Sequence, residues 1–543
     1  MNPEPADTTQ AFVRNTAVMS AGTALSRLTG FLRLSAMAFA LGITESRLAD
    51  SYNIANITPN ILYELALGGI LTSVVVPVVV EWLQQHGRDA AWDVVRRLFK
   101  LALIVLSAIA ALGIVFAPWI VDLYTSGVPE SQKVATAALA TFFLRWFMPQ
   151  VVFYGVGAVA TGLLNAHRRF AAPMFAPIVN NLIVIATFAI FAAMPGADPG
   201  SGELATDAQR LVLAIGTTLG VIGMTAALWP SVRATGFRFR WKAERGAEAV
   251  RTMARLATWV LVYVVTNQLG YLVVLILAAA IQGDYSAYAA GFILFQLPHS
   301  IFAVSIFTAL LPAMSSRWSD GDVEGFRRLL SQGLRATATV LIPAALGYLV
   351  LARPIVRLLL EHGVTGPSSG ELVAEVLVLF ALGLFPFSAF QLLLRSSYAM
   401  QDTRTPALVN VAATALNIGV NLIMVLGFDL GVRGLALGHA ASYVFASIVL
   451  FLRVRAKVGG LGGERVWGSI GRVLVAGLAT ASAAWLMAEA MERWLGVATV
   501  GAQAMQVVSA VVVGLAVFLA SAVALRIEEV DLVRRQVAGR WRR

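Results

Sequence analysis

Apolar runs of about 18 residues or more recur from one end of the chain to the other. Each is long enough to cross a hydrocarbon core of roughly 30 Å as a helix. The pattern predicts fourteen spans, near 12–42, 48–80, 98–122, 135–164, 171–194, 211–230, 257–281, 286–314, 331–352, 371–399, 406–426, 434–452, 471–489 and 502–525. The expected fold class is therefore an all-α polytopic membrane protein. Two weak internal matches point to a duplication. The segment Thr72 to Pro77 is similar to Thr308 to Pro312, and the connection Asn165 to Pro173 is similar to Gln401 to Pro406. The expected organisation is an N-terminal six-helix half over 1–230 and a cytoplasmic basic connector over 231–256. A C-terminal six-helix half follows over 257–456, then an extra transmembrane helix pair with a basic tail over 457–543. Transporters built from repeats commonly bind substrate between them, near the bilayer midplane.

Polar positions inside these runs carry the functional signal. Arg27 and Arg33 lie in the first span, where a guanidinium costs ~2.5–3.5 kcal/mol at a helix centre unless it meets water or a partner. They sit about 120° apart on an ideal helix, and Gly30 between them is a point where the helix could bend and turn both inward. Either they line a hydrated cavity, or each snorkels or pairs with Asp50 or Glu64. The second span carries Asn53, Asn56, Asn60 and Glu64 on one helical face, as lining for a polar substrate or as helix-packing glue. Asn410, Thr414, Asn417 and Asn421 repeat the spacing on the eleventh span; such oxygen-rich stripes can ligate sodium, and equally can pack helices. Asn267, Gln268 and Tyr271 on the seventh span and Gln296 on the eighth would add polar lining, with His299 expected in a structural hydrogen bond. Arg145 and Arg395 are expected as structural pairs or interface anchors.

Composition agrees with the spans. Of 543 residues, 58% are hydrophobic and 13% charged, and the mean hydropathy is +0.76. A net charge of +11 would suit nucleic acid if it were clustered in a soluble domain. Instead it follows the positive-inside pattern. Thirty of the 41 Lys and Arg fall at the termini and in alternate loops, seven in the other loops and four inside spans. Both termini are thus expected in the cytoplasm, with Pro195–Asp207 external. The stretch Arg233–Leu256 is expected to be an amphipathic helix at the cytoplasmic interface or a solvated connector. Cysteine is absent, which removes thiolate metal sites and cysteine nucleophiles. No phosphate-cradling loop, zinc-protease motif or nucleophile elbow occurs, so no catalytic residue, metal site or cofactor is expected. Work must come from sodium or proton gradients or from the membrane potential.

The run Ser26-Arg27-x-x-Gly30-Phe31-x-Arg33, followed by Asp50, Pro59, Asn60 and Pro77, resembles the MurJ (MviN) lipid II flippases of the MOP transporter superfamily. The variant around Tyr63, Glu64 and Thr72 looks like the actinobacterial-type branch. The resemblance implies alternating-access flipping of lipid II, the undecaprenyl-diphosphate-linked disaccharide-pentapeptide, across the bacterial inner membrane. It implies a cavity lined by spans 1, 2, 7 and 8, whose arginines grip the diphosphate. It also implies a groove on spans 13 and 14 for the polyprenyl tail, and cell-wall synthesis or division proteins as further partners. On this mapping Arg27, Arg33 and Asp50 match important positions, with Asn60 and Gln296 as helpers. The chain departs from the family at Leu34, Tyr63, Gly68 and near Ile293, where acids or arginines are usual. A family sodium site would use Asn417 and Asn421, but the usual seventh-span acid falls near Val274. The rival readings are a cation-coupled exporter or another polyprenyl-linked oligosaccharide flippase of the same superfamily, a non-transporting cell-wall scaffold, and a membrane-embedded glycosyl- or phosphotransferase.

Overall fold

The computed structural model describes residues 22, 25–67, 87–167, 169–196, 198, 205–241, 248, 258–460 and 463–530. Among these residues all regular structure is helical. The elements are α1 (25–41), α2 (Arg47–Leu67), α3 (Gly87–Val115), α4 (Ala117–Tyr124), α5 (Glu130–Phe147) and α6 (Gln150–Ala166). Next come α7 (Ala171–Ala193), α8 (Asp207–Arg233), α9 (Thr258–Ala279) and α10 (Asp284–Pro298). A π turn, His299–Ala303, leads into α11 (Val304–Ser319). It is followed by α12 (Val323–Leu360), α13 (Pro367–Ala381), α14 (Leu384–Ala399), α15 (Arg404–Leu422), α16 (Gly431–Lys457), α17 (Gly463–Leu495) and α18 (Val500–Ala524). Eleven helices among the described residues are long and apolar enough to cross a membrane, and the bent pair α13–α14 would make a twelfth. The expected fourteen would also need the first two spans. Of these only α1 and α2 are described, and the segment Thr72 to Pro77 lies outside the described residues.

The chain divides into two compact units, Met1–Ser286 and Ala287–Arg543. The expected division lay in the connector at 231–256. Instead α9 packs with the first unit, because α2 holds both ends of the turn that follows it. In the first unit Tyr52 is enclosed by the edges of Phe143, Phe147 and Phe188, with centroids 5.6–5.8 Å away. Helices α7 and α8 meet closely because Gly216 and Gly220 present no side chain. A Cβ at either would overlap Thr187 or Asn180, the small-residue contact by which helices approach in lipid.

In the second unit α12 is a mast of 38 residues. The extra pair, α17 and α18, packs along it through two apolar clusters. One gathers Ala338, Ile342, Val473, Ala476 and Ala522; the other gathers Leu351, Ala484, Ala488 and Ala510. Ion pairs close both ends: Arg335 with Glu528 at 2.6 Å and Glu529 at 3.2 Å, and Arg357 with Glu492 at 3.4 Å. The outer faces of the pair expose Trp485, Leu486, Val508, Val512 and Leu515, as a lipid-facing surface does.

Candidate functional site

The polar residues of the first unit separate into a latch and an arginine site. The latch begins at the first turn of α2. Buried Arg47 donates from Nη1 to the Ala279 carbonyl at 2.9 Å and from Nη2 to the Ala280 carbonyl at 3.4 Å, with Nε on Gln132 at 3.0 Å. A cation on the last carbonyls of α9 is favoured by unsatisfied acceptors and the helix dipole. One turn on, Asp50 accepts from the Gly283 N–H at 2.6 Å, and from the Ser286 N–H at 3.1 Å and hydroxyl at 2.7 Å. A carboxylate at the start of α10 answers the opposite end of the dipole. Asn53 adds a donation to the Ser286 hydroxyl at 3.1 Å. Gly283 adopts φ +86, and a Cβ there would lie 2.5 Å from the Thr44 Cα, so only glycine fits this turn.

This geometry corrects one expectation. Asp50 is 1% exposed and its hydrogen bonds go to the α9–α10 turn, not to Arg27 or Arg33. It is a buried clasp with no surface for substrate, and Asn53 is engaged in the same clasp. Arg47, read in the sequence only as loop charge, is the other half. The signal that could have found it is its spacing of three residues from Asp50, which puts both on one face of the first turn.

The arginine site is built on α1, α2 and α6. Arg33 is half-buried and lies close to the hydroxyls of Tyr52 and Tyr154. The Tyr52 hydroxyl in turn meets Thr217 at 2.8 Å, and Tyr154 contacts Tyr63 with centroids 5.8 Å apart. Tyr52 was missed in the sequence, although it stands one helical turn before Asn56 on the same stripe. Asn56, Asn60 and Glu64 follow on α2, all half-buried. Asn267 on α9 is half-buried too. Arg27 is exposed, and among the described residues no carboxylate pairs with either arginine. The helix continues without unwinding through Gly30. A Cβ there would lie 3.5 Å from Asn181 Nδ2, and Asn181 binds the Ser26 carbonyl at 3.2 Å and the Thr29 hydroxyl at 3.0 Å. Asn181 thus ties α1 to α7, and a side chain at Gly30 would meet it only at an ordinary contact distance.

In the second unit Gln296 is half-buried on α10. His299 meets the Ser388 hydroxyl at 2.8 Å, the structural hydrogen bond expected of it. Arg395 stacks over Phe307, 5.1 Å from the ring centroid. Asn421 donates to Asn417 Oδ1 at 3.1 Å. Its own buried Oδ1 has no hydrogen-bond partner, and a Cβ at Gly438 would overlap it. One free oxygen without a carboxylate falls short of the oxygen shell a hard cation takes. These two residues do not by themselves fit a sodium site. No group of three or more His, Cys, Asp or Glu that could hold a metal occurs among the described residues.

Comparison with known proteins shows the family and the fold. Residues 37–508 match the family described as lipid II flippase MurJ. A relative from Rhizobium meliloti, "Probable lipid II flippase MurJ", is 28% identical over 442 residues, 81% of this chain and 80% of the relative. A solved structure, "Lipid II flippase MurJ, inward closed conformation", superposes with TM-score 0.74 at 20% identity, covering 95% of this chain and 100% of the other. An inward-facing multidrug-resistance MATE transporter of the MOP superfamily shares the fold at TM-score 0.65 and 15% identity, covering 81% and 99%. With 472 consecutive residues matched out of 543, the chain belongs to the lipid II flippase MurJ family.

Proposed function

We propose that this protein carries lipid II across the bacterial cytoplasmic membrane by alternating access, without covalent chemistry. The observation that carries the reading is Arg33, a guanidinium among tyrosines at half-buried depth with no carboxylate to neutralise it. A buried cation without a counter-ion is expensive, and a diphosphate is the anion whose geometry suits the planar fork of an arginine. Arg27 supplies a second guanidinium on the same helix. The stripe Asn56, Asn60 and Glu64, with Asn267, faces sugar and peptide. The polyprenyl tail stays in lipid along α17 and α18. The charge pattern puts both termini and the connector in the cytoplasm. Return of the empty, positively lined carrier is driven by the membrane potential, worth roughly 2.3 kcal/mol per charge per 100 mV. Sodium or proton coupling is the alternative.

Binding of undecaprenyl diphosphate to the purified protein tests the site. Arg33→Ala and Arg27→Ala are expected to weaken binding by on the order of tenfold or more each while unfolding at the wild-type temperature. Arg33→Lys should recover only part, because an ammonium is a point charge. Unchanged affinity in both alanine variants would place the diphosphate elsewhere.

A further inference from the structure

The start of the connector is not a free loop. After α8 the chain turns at 234–236 and runs without regular structure over α3 to Trp241. Between the end of α8 and α9, residues 234–241 and 248 are described. Of the amphipathic helix expected over Arg233–Leu256, everything beyond Trp241 lies outside the described residues except residue 248, which is helical. Phe237 is 3% exposed; it stacks on Phe99 at 5.5 Å and meets Trp92 at a tilt, with centroids 5.5 Å apart. Trp92 itself lies flat on His167 at 5.2 Å. Phe239 follows against Phe99 at 6.3 Å and Trp241 at 5.6 Å. Two arginines fasten the backbone: Arg96 Nε donates to the Arg238 carbonyl at 3.1 Å, and Arg169 Nη2 to the Ala234 carbonyl at 3.1 Å.

With Phe237 and Phe239 turned onto the helices, Arg238 and Arg240 stay exposed. Arg233 joins them from the end of α8, its guanidinium 5.8 Å from the Trp229 ring centroid. Trp229, Arg233, Gly236, Phe237, Arg238 and Phe239 line a cleft of about 540 Å³. Among the described residues no carboxylate pairs with Arg233, Arg238 or Arg240. Arginines held without acids beside exposed tryptophan match a ligand with an anionic phosphate and an apolar body.

We propose that this cleft binds the phosphate headgroup of an anionic glycerophospholipid in the cytoplasmic leaflet, with Arg233, Arg238 and Arg240 on the phosphate and Trp229 and Trp241 at the acyl boundary. The inference rests on the cytoplasmic placement of the connector given above. That leaflet carries the negative surface potential that basic juxtamembrane segments sense. Because stacking and two backbone bonds already hold the strap, little ordering is left to oppose binding.

The test counts lipids retained by the full-length chain in native mass spectrometry after exposure to phosphatidylglycerol, phosphatidylcholine, undecaprenyl diphosphate or inorganic phosphate. Expected is one tightly held phosphatidylglycerol that phosphatidylcholine does not replace and millimolar phosphate does not displace. In Arg238→Gln/Arg240→Gln its retention falls on the order of tenfold, and Arg233→Gln, on α8, repeats the loss if the strap variant unfolds. Equal phosphatidylglycerol retention in these variants overturns the proposal, as does a loss confined to undecaprenyl diphosphate or displacement by free phosphate. The topology is read separately. The chain lacks cysteine, so Arg240→Cys reports its side of the membrane with an impermeant thiol reagent. Labelling from outside would refute the cytoplasmic placement without bearing on whether the cleft holds a phosphate.

Discussion

At the scale of single residues, buried charges in this protein do two jobs, and the neighbours of each charge tell which. Asp50 accepts three hydrogen bonds in full enclosure, so it holds structure. Asp50→Asn would turn an acceptor-only group into one that presents two donors to existing donors. The expected result is a loss of about 1–3 kcal/mol, seen as a lower unfolding temperature of the purified protein. Diphosphate affinity in the fraction that remains folded should be unchanged. A wild-type unfolding temperature with lost diphosphate binding would return Asp50 to the substrate site. Arg33 has the opposite surroundings: hydroxyls and no acid. The sequence could show that both residues were charged and within lipid depth. It could not show which of them found a partner, because the partner of Asp50 is 233 to 236 residues away and the neighbour of Arg33 is a tyrosine. The stripe on α2 was legible because its spacing is local. Tyr52, one turn earlier, reads as an ordinary aromatic until the fold brings Arg33 to it.

At the scale of elements, helix periodicity located the spans well, since each run of apolar residues is a property of its own segment. Packing between elements was less legible. The final pair, expected as an extra transmembrane pair beyond the second half, is docked on α12 by apolar clusters and closed by ion pairs at both ends. Removal would bare that face and orphan Arg335 and Arg357. A milder intervention separates docking from presence. Gly477 lies against α12, where a Cβ would sit 2.8 Å from Leu346 Cδ1 and 3.6 Å from the Pro343 Cα. Gly477→Leu is expected to overpack this contact at a cost of about 1–3 kcal/mol and to lower thermal stability. Gly468→Leu, with open space around it, should not. Equal stability of the two variants would show that the pair does not depend on this contact.

At the scale of the whole molecule, family and fold were legible from motif and hydropathy because both are spread along the chain. The unit boundary was not, because it depends on the latch at Arg47 and Asp50, which ties α9 to α2 and carries the first unit on to Ser286. The central claim is transport of a lipid-linked precursor. Its most direct test is the side of the membrane on which lipid II resides when the protein is depleted from its own cell. The account predicts that lipid II accumulates and becomes inaccessible to an outer-face probe. Wild-type protein should restore outward exposure, and a stably inserted Arg33→Ala variant should not. Undiminished exposure of lipid II at the outer face during depletion would contradict the account.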